Sequence, residues 1–280
     1  MKRFLFVLII GCLIATSCIQ KSNINNNHNE NVETASVDSL LITNELTYHY
    51  IHDIVQVDLI VDYPYCSNAI LQNALCEYIN ETLGGSYDGS LEDGQQLVDF
   101  YGKIFKSELI KKHTEQSQEL SEDNLNGFSK SVVIKKDYET DKLITFTVTE
   151  EIYLNGAHGM HYGYGQTFRK TDGRRFNTEM MCNLDTQGIH DIIKEGLRQY
   201  FSESYNEPIN DESLKNCILT DKDIEYLPMP EYSPYITADG ILFGYQPYEI
   251  SFYAAGMPSF IVSFNDIMPY LTQTARLLIP

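Results

Sequence analysis

Tryptophan is absent from this chain. Sugar-stacking sites usually lean on that residue, which counts against a dedicated carbohydrate-binding module. The 20 tyrosines are the amphipathic rings left to substitute for it. Positive charge is the second shortage: 20 Lys and Arg face 39 Asp and Glu, a formal net charge of −19. Leaving out Lys2 and Arg3, which fall in the leader described below, 18 face 39 and the net is −21. Nucleic acid and anionic membrane surfaces are therefore poor partners, because both are bound through basic side chains. A cationic partner is steered inward.

Local catalytic signatures are also missing. The chain has no Gly-x-Ser-x-Gly, no His-Glu-x-x-His, no P-loop and no Cys-x-x-Cys. No cysteine spacing matches a zinc site, so no metal or cofactor is expected. A triad gathered from distant residues leaves no such trace, so the bias is against an enzyme and not more. After Cys18, no stretch is apolar over the length that a membrane-crossing helix needs.

What is present begins at the N terminus. Lys2-Arg3 precede an apolar run from Phe4 to Ile14, the small residues Ala15-Thr16-Ser17, and Cys18. That order is a secretory signal whose apolar core is too short to span a bilayer. Ala15-Thr16-Ser17-Cys18 resembles a bacterial lipobox, which implies removal of residues 1–17 and lipid on the Cys18 sulfur. Several acyl chains on one cysteine anchor stably where one chain does not. The expected place is the bacterial cell envelope, facing the periplasm or the exterior, with the lipid bilayer as first partner. Residues 18–40 are polar, with little to bury, and read as a flexible tether.

Four further cysteines follow, Cys66, Cys76, Cys182 and Cys217, which an oxidising compartment could pair in three ways. If a helix runs from Ser67 to Leu83, Cys66 and Cys76 lie about 15 Å apart along it at ~1.5 Å per residue. That separation disfavours their pairing.

Period-2 alternation over Val55, Val57, Leu59 and Val61 predicts a strand. A helix capped by Ser67 follows, with Leu71, Leu75 and Ile79 on its buried face and Gly84-Gly85 at its end. A second helix is expected from Gly94 to Lys112, leaving through the polar segment Thr114–Gln118. The middle is β, around Val132–Ile134 and Leu143–Tyr153, with a hairpin turn at Asp172-Gly173. A third helix spans Thr186–Phe201; strands return near Ile241–Phe243 and Phe260–Val262, and a short helix near Ile267–Leu271 closes the chain. Strands and helices do not alternate regularly, which argues against a doubly wound sheet. The expected fold is α+β, with largely antiparallel sheets and helices packed on one face. Two subdomains are expected, a strand–helix–helix unit over 41–125 and an α+β unit over 126–280.

Two segments carry a resemblance. One is Tyr153-Leu154-Asn155-Gly156-Ala157-His158-Gly159 with the aromatic strand behind it. The other is Ile236 to Phe243, continuing through Gln246-Pro247-Tyr248-Glu249-Ile250 and Tyr253-Ala254-Ala255-Gly256. Together they resemble the RsiV-like extracytoplasmic domain of unknown function. That domain forms the outer part of the lysozyme-sensing anti-sigma factor RsiV and accompanies the peptidoglycan deacetylase PdaC. Residues 53–83 are similar to the smaller domain that precedes it. The resemblance implies a receptor-like role, with lysozyme or another cationic protein, or a cell-wall fragment, as ligand. No sigma-binding segment and no deacetylase domain is evident, so direct sigma-factor control is not expected.

The glycine-flanked His158, followed by His161, Tyr162 and Tyr164, is the candidate ligand site. The plainer reading is a tight reversal between strands, held by a hydrogen bond from His158. A metal on His158, His161 and His190 is disfavoured, because an i, i+3 spacing on a strand splits the two imidazoles and no acidic neighbour stands at a recognisable spacing. Glu150 and Glu151 are adjacent on a strand and point to opposite faces, so they are no glycosidase pair. Tyr248 and Tyr253 are expected to pack over the core, with lining a cleft as the alternative. The leading expectation is a non-catalytic binding or sensing domain. The alternatives are a peptidoglycan-modifying enzyme with His158 as general base, an accessory subunit of such an enzyme, or a scaffold subunit with an exposed apolar patch.

Overall fold

The computed structural model describes residues 41–119, 126–184, 186–219 and 224–279. The expected leader, Cys18 and the 18–40 segment lie outside the described residues.

Two long strands open the fold, β1 (Ile42–His52) and β2 (Val55–Tyr65), joined by a hairpin in which Asp53 takes a positive φ of 54°. The alternation read in β2 is real: Val55, Val57, Leu59, Val61 and Tyr63 are all buried. Helix α1 (Ala69–Leu83) is capped by Asn68 rather than Ser67. The Asn68 side chain accepts from the backbone N–H groups of Ile70 and Leu71, and its amide donates to the Lys170 carbonyl at 3.0 Å. The cap thus also ties the helix start to the far side of the sheet, a contact that local sequence does not announce. Cys66 lies ahead of the helix, so the rise argument for its distance from Cys76 does not apply to it. Gln72 reaches both ends of that turn: its Oε1 accepts from the Cys66 N–H at 2.9 Å and its Nε2 lies 3.2 Å from the Cys76 sulfur. Helix α2 (Gly94–Glu119) continues a further seven residues past Lys112. Its polar end contains no Gly or Pro to stop it, and Thr114 and Ser117 return hydrogen bonds to the Ile110 and His113 carbonyls.

Next come β3 (Phe128–Glu139), β4 (Leu143–Leu154), β5 (Met160–Arg169) and the two-residue β6 (Arg175–Phe176). The six strands form one sheet in chain order. Every neighbouring pair is antiparallel except β2–β3, and a parallel pair requires a long crossover, here α1 and α2. The sheet therefore runs unbroken past residue 125. The helices cover one face, where Leu75, Ile79, Leu97, Tyr101 and Phe105 meet Val57, Leu59 and Val61.

The rest of the chain builds a second core. Helix α3 (Gln187–Tyr205) presents Ile189, Ile193, Leu197 and Phe201 to a three-stranded antiparallel sheet of β7 (Tyr235–Ile236), β8 (Ile241–Gly244) and β9 (Ser259–Val262). Short helices α4 (Asp211–Cys217), α5 (Phe264–Ile267) and α6 (Gln273–Arg276) complete it. Gly240, at the β7–β8 turn, has φ +156°, and a Cβ there would lie 2.2 Å from the Val262 carbonyl oxygen. The two cores meet at a buried polar seam. The Thr145 and Thr167 hydroxyls lie 2.7 Å apart; Thr145 donates to the Ile236 carbonyl at 2.8 Å, and the Ile236 N–H donates to Thr167 at 2.9 Å. Because Ile144, Phe146 and Phe168 belong to the α1–α2 core, the threonines between them hold β7 against the opposite face. The fold is mixed α+β, as the order of elements predicts.

Candidate functional site

The four residues singled out in the sequence lie along β5 and the turn before it. In the β4–β5 turn, Asn155 takes the left-handed conformation, φ 61°, and Gly156 and Gly159 do not. Gly159 is needed for closeness instead: a Cβ there would sit 2.9 Å from the Ile152 carbonyl oxygen. His158 Nδ1 lies 2.9 Å from the Gly159 carbonyl, which only accepts, so Nδ1 carries the proton. The imidazole stacks on Tyr253 at 4.0 Å and 22°, and the Tyr253 hydroxyl donates to the same Gly159 carbonyl.

His161 faces Glu151 across the β4–β5 ladder, with Nδ1 and Oε1 3.1 Å apart. This acidic neighbour comes from strand pairing and is invisible in linear spacing. Glu150 points the other way, to Lys130 at 2.8 Å, as the alternation requires. His190 is occupied elsewhere, with Nδ1 3.2 Å from the Leu227 carbonyl. Among the described residues no group of three or more His, Cys, Asp and Glu is arranged to hold a metal ion.

Tyr162 and Tyr164 occupy the β5 face opposite His161, and Tyr164 lines a cleft of about 360 Å³ between α1 and β5. Tyr232, from the loop before β7, lies over Tyr164 with ring centroids 4.2 Å apart and planes within 7°. Tyr78 of α1 is 6% exposed; its hydroxyl makes no hydrogen bond of ordinary length among the described residues and interacts loosely with the Thr82 side chain one turn along the helix. Burial pushes the Tyr78 hydroxyl up to about 12 and raises those of Tyr164 and Tyr232, so all three stay protonated at neutral pH. At the rim, Arg175 pairs with Glu81 at 2.5 Å while its guanidinium lies 5.3 Å from the centre of the Tyr78 ring. Thr82, Glu231, Gln166 and Ser233 complete the polar lining. The cleft thus offers ring surface, protonated hydroxyls, an amide and carboxylates. It suits a neutral polar ligand that both donates and accepts hydrogen bonds.

Gln246 holds this arrangement together. It is 5% exposed, and its side-chain amide replaces a neighbouring strand at Gly163: Nε2 donates to the Gly163 carbonyl at 2.9 Å and Oε1 accepts from its N–H at 3.2 Å. Glu249 accepts from the backbone N–H of Gln246 at 2.7 Å and from that of Glu231 at 2.6 Å, which joins the two loops. Burial raises the Glu249 carboxyl. Tyr248 departs from the expected core position. Its φ is 68°, it is 52% exposed, and it stacks outside Tyr253 at 5.5 Å, because the left-handed backbone turns its ring outward.

Tyr78, Arg175, Tyr232 and Gln246 were not legible as site residues. Tyr232 lies 68 positions from Tyr164, and only the fold brings them together. Pro247, which suggests an edge or bulge, is the one local signal near Gln246.

Residues 186–265, from the residue before α3 into α5, match the model of a family described as a protein of unknown function, DUF3298. Two solved structures share the fold. One is a DUF3298 family member from Bacteroides fragilis: TM-score 0.67, 15% identity, 87% of this chain and 98% of that chain covered. The other is a DUF3298 family protein from Pseudomonas aeruginosa: TM-score 0.56, 12% identity, 86% and 98% covered. No curated protein matches the chain.

Proposed function

We propose that the chain is a lipid-anchored, non-catalytic binding module of the bacterial cell envelope, and that the cleft beneath Tyr232 takes a cell-wall fragment. The observation that carries the ligand is the cleft itself, roofed by the stacked rings of Tyr164 and Tyr232, with the Tyr78 hydroxyl beneath it held only loosely by Thr82. A saccharide complements that cleft. Its hydroxyls accept from tyrosine and donate to Glu81 and Glu231, while its apolar ring face lies on an aromatic ring. The anchor rests on Ala15-Thr16-Ser17-Cys18. Titration calorimetry with muropeptides and N-acetylglucosamine oligomers tests the ligand. Binding that is lost in Tyr232→Ala, with unchanged circular dichroism, is the expected result. No binding, or equal binding by the variant, would refute it.

A second reading is favoured by the excess of acid over base: the ligand is a cationic protein of the lysozyme kind. Association would then be tight at low salt and fall steeply as salt is added. Salt-insensitive binding, or none at low salt, argues against it.

A further inference from the structure

Tyr164, which lines the cleft, lies five residues along the chain from the end of the β4–β5 turn. From Tyr164, the outer edge of β5 runs past Gln246 to the β4–β5 turn, where Tyr248, Tyr253 and His158 form a continuous stack of three rings. Tyr253 is bonded to the Gly159 carbonyl, so the stack sits at the start of the strand and the Tyr164–Tyr232 pair sits farther along it. Gly159 and Tyr164 are separated by about 17 Å at ~3.3 Å per residue. One sugar ring cannot touch both places, and an oligomer can.

We propose that the ring stack is a second contact for the ligand of the cleft, so that the protein binds an extended glycan chain laid along the β5 edge. This rests on the cleft being a saccharide site. Three features of the stack support it. Tyr248 is held in a left-handed conformation that a bulky side chain rarely adopts, and such residues concentrate where function retains them. Its neighbour Glu249 is tied at both carboxylate oxygens, by the Gln246 and Glu231 N–H groups. The same two bonds lock the Tyr232 loop to the Tyr248 loop, so both contacts stand on one rigid frame. Stacked rings that are already ordered lose little freedom when a ligand arrives. The charges about Tyr232 are Glu231, Glu249 and Glu150, the last paired with Lys130, which suits an uncharged chain better than a polyanion.

Two joined contacts raise affinity through effective concentration, so binding must depend on chain length. Calorimetry with the dimer and the hexamer of N-acetylglucosamine, on the protein and on Tyr248→Gly and Tyr248→Asn, is the test. Both replacements accept a positive φ, so both variants should melt no lower than the parent protein. The parent should bind hexamer more than roughly tenfold more tightly than dimer, beyond the few-fold gain from extra binding registers. Both variants should keep the dimer affinity and lose that gain. Equal affinity for dimer and hexamer in the parent, or the full gain kept by both variants, overturns the extended track and leaves the cleft standing. Failure of every oligomer to bind the parent overturns the cleft reading and this inference with it.

Discussion

The hydroxyl of Tyr78 is poorly served in the fold: Thr82 reaches it only loosely, and leaving a buried donor unsatisfied costs about 1–3 kcal/mol. Tyr78→Phe removes the hydroxyl and keeps the ring. Chemical denaturation should show the variant equal to or more stable than the parent by roughly 1 kcal/mol, while ligand affinity falls. A loss of stability would mean that the hydroxyl is satisfied in the fold and has no part in binding. Gln246 behaves oppositely. Gln246→Leu strands both the N–H and the carbonyl of Gly163 and should cost about 1–3 kcal/mol. At this scale the sequence was readable where chemistry is local. The histidine of a glycine-flanked turn, and two glutamates diverging from one strand, follow from backbone geometry alone. The Tyr164–Tyr232 pair and the Glu151–His161 pair depend on strand register and loop path, which no short window contains.

Among the elements, the base of the sheet is gathered by a buried ion cluster. Glu139 accepts from the Leu41 N–H at 2.7 Å, from Lys170 at 2.9 Å and from Lys136 at 3.1 Å, and Lys136 also donates to the Leu41 carbonyl. Burial alone would push the Glu139 carboxyl up; these donors outweigh it and hold the carboxyl below its ordinary value of 4.5. A carboxyl lowered by folding stabilises the fold above its unfolded value, and that contribution is lost as pH falls through the folded value. Melting temperature should therefore drop below pH 4.5, and Glu139→Gln should flatten that drop while melting lower at neutral pH. Identical pH profiles for parent and variant would contradict it. Lys170 and Glu139 are each 6% exposed, so Lys170→Met should cost about 1.5–3 kcal/mol by removing one charged hydrogen bond, while Lys136 stays paired with Glu139. Long periodic elements such as β2, α1 and α3 were legible because each repeats its pattern over several turns or pleats. The parallel β2–β3 pair was not, since pairing across α1 and α2 is a long-range event. The strands of two to four residues in the second core are too short for periodicity, and only their turns mark them.

For the whole molecule, the register of β1 sets a direction. Leu41 enters beside Tyr65 and Glu139, and the eleven-residue strand ends at His52, near the start of β3 and the end of β4. The β4–β5 turn is thus displaced from Leu41 by about 36 Å along the strand direction, at ~3.3 Å per residue. Cys18→Ala should release the protein from membranes and abolish fatty-acid labelling; a variant that stays with the membrane fraction would contradict the anchor. The most direct measurement for the central claim is the nuclear magnetic resonance of labelled tyrosine rings during titration with a muropeptide. The account expects the signals of Tyr78, Tyr164 and Tyr232 to shift together while those of the core residues Tyr63 and Tyr101 stay in place. Saturating ligand with no shift in those three rings would contradict it.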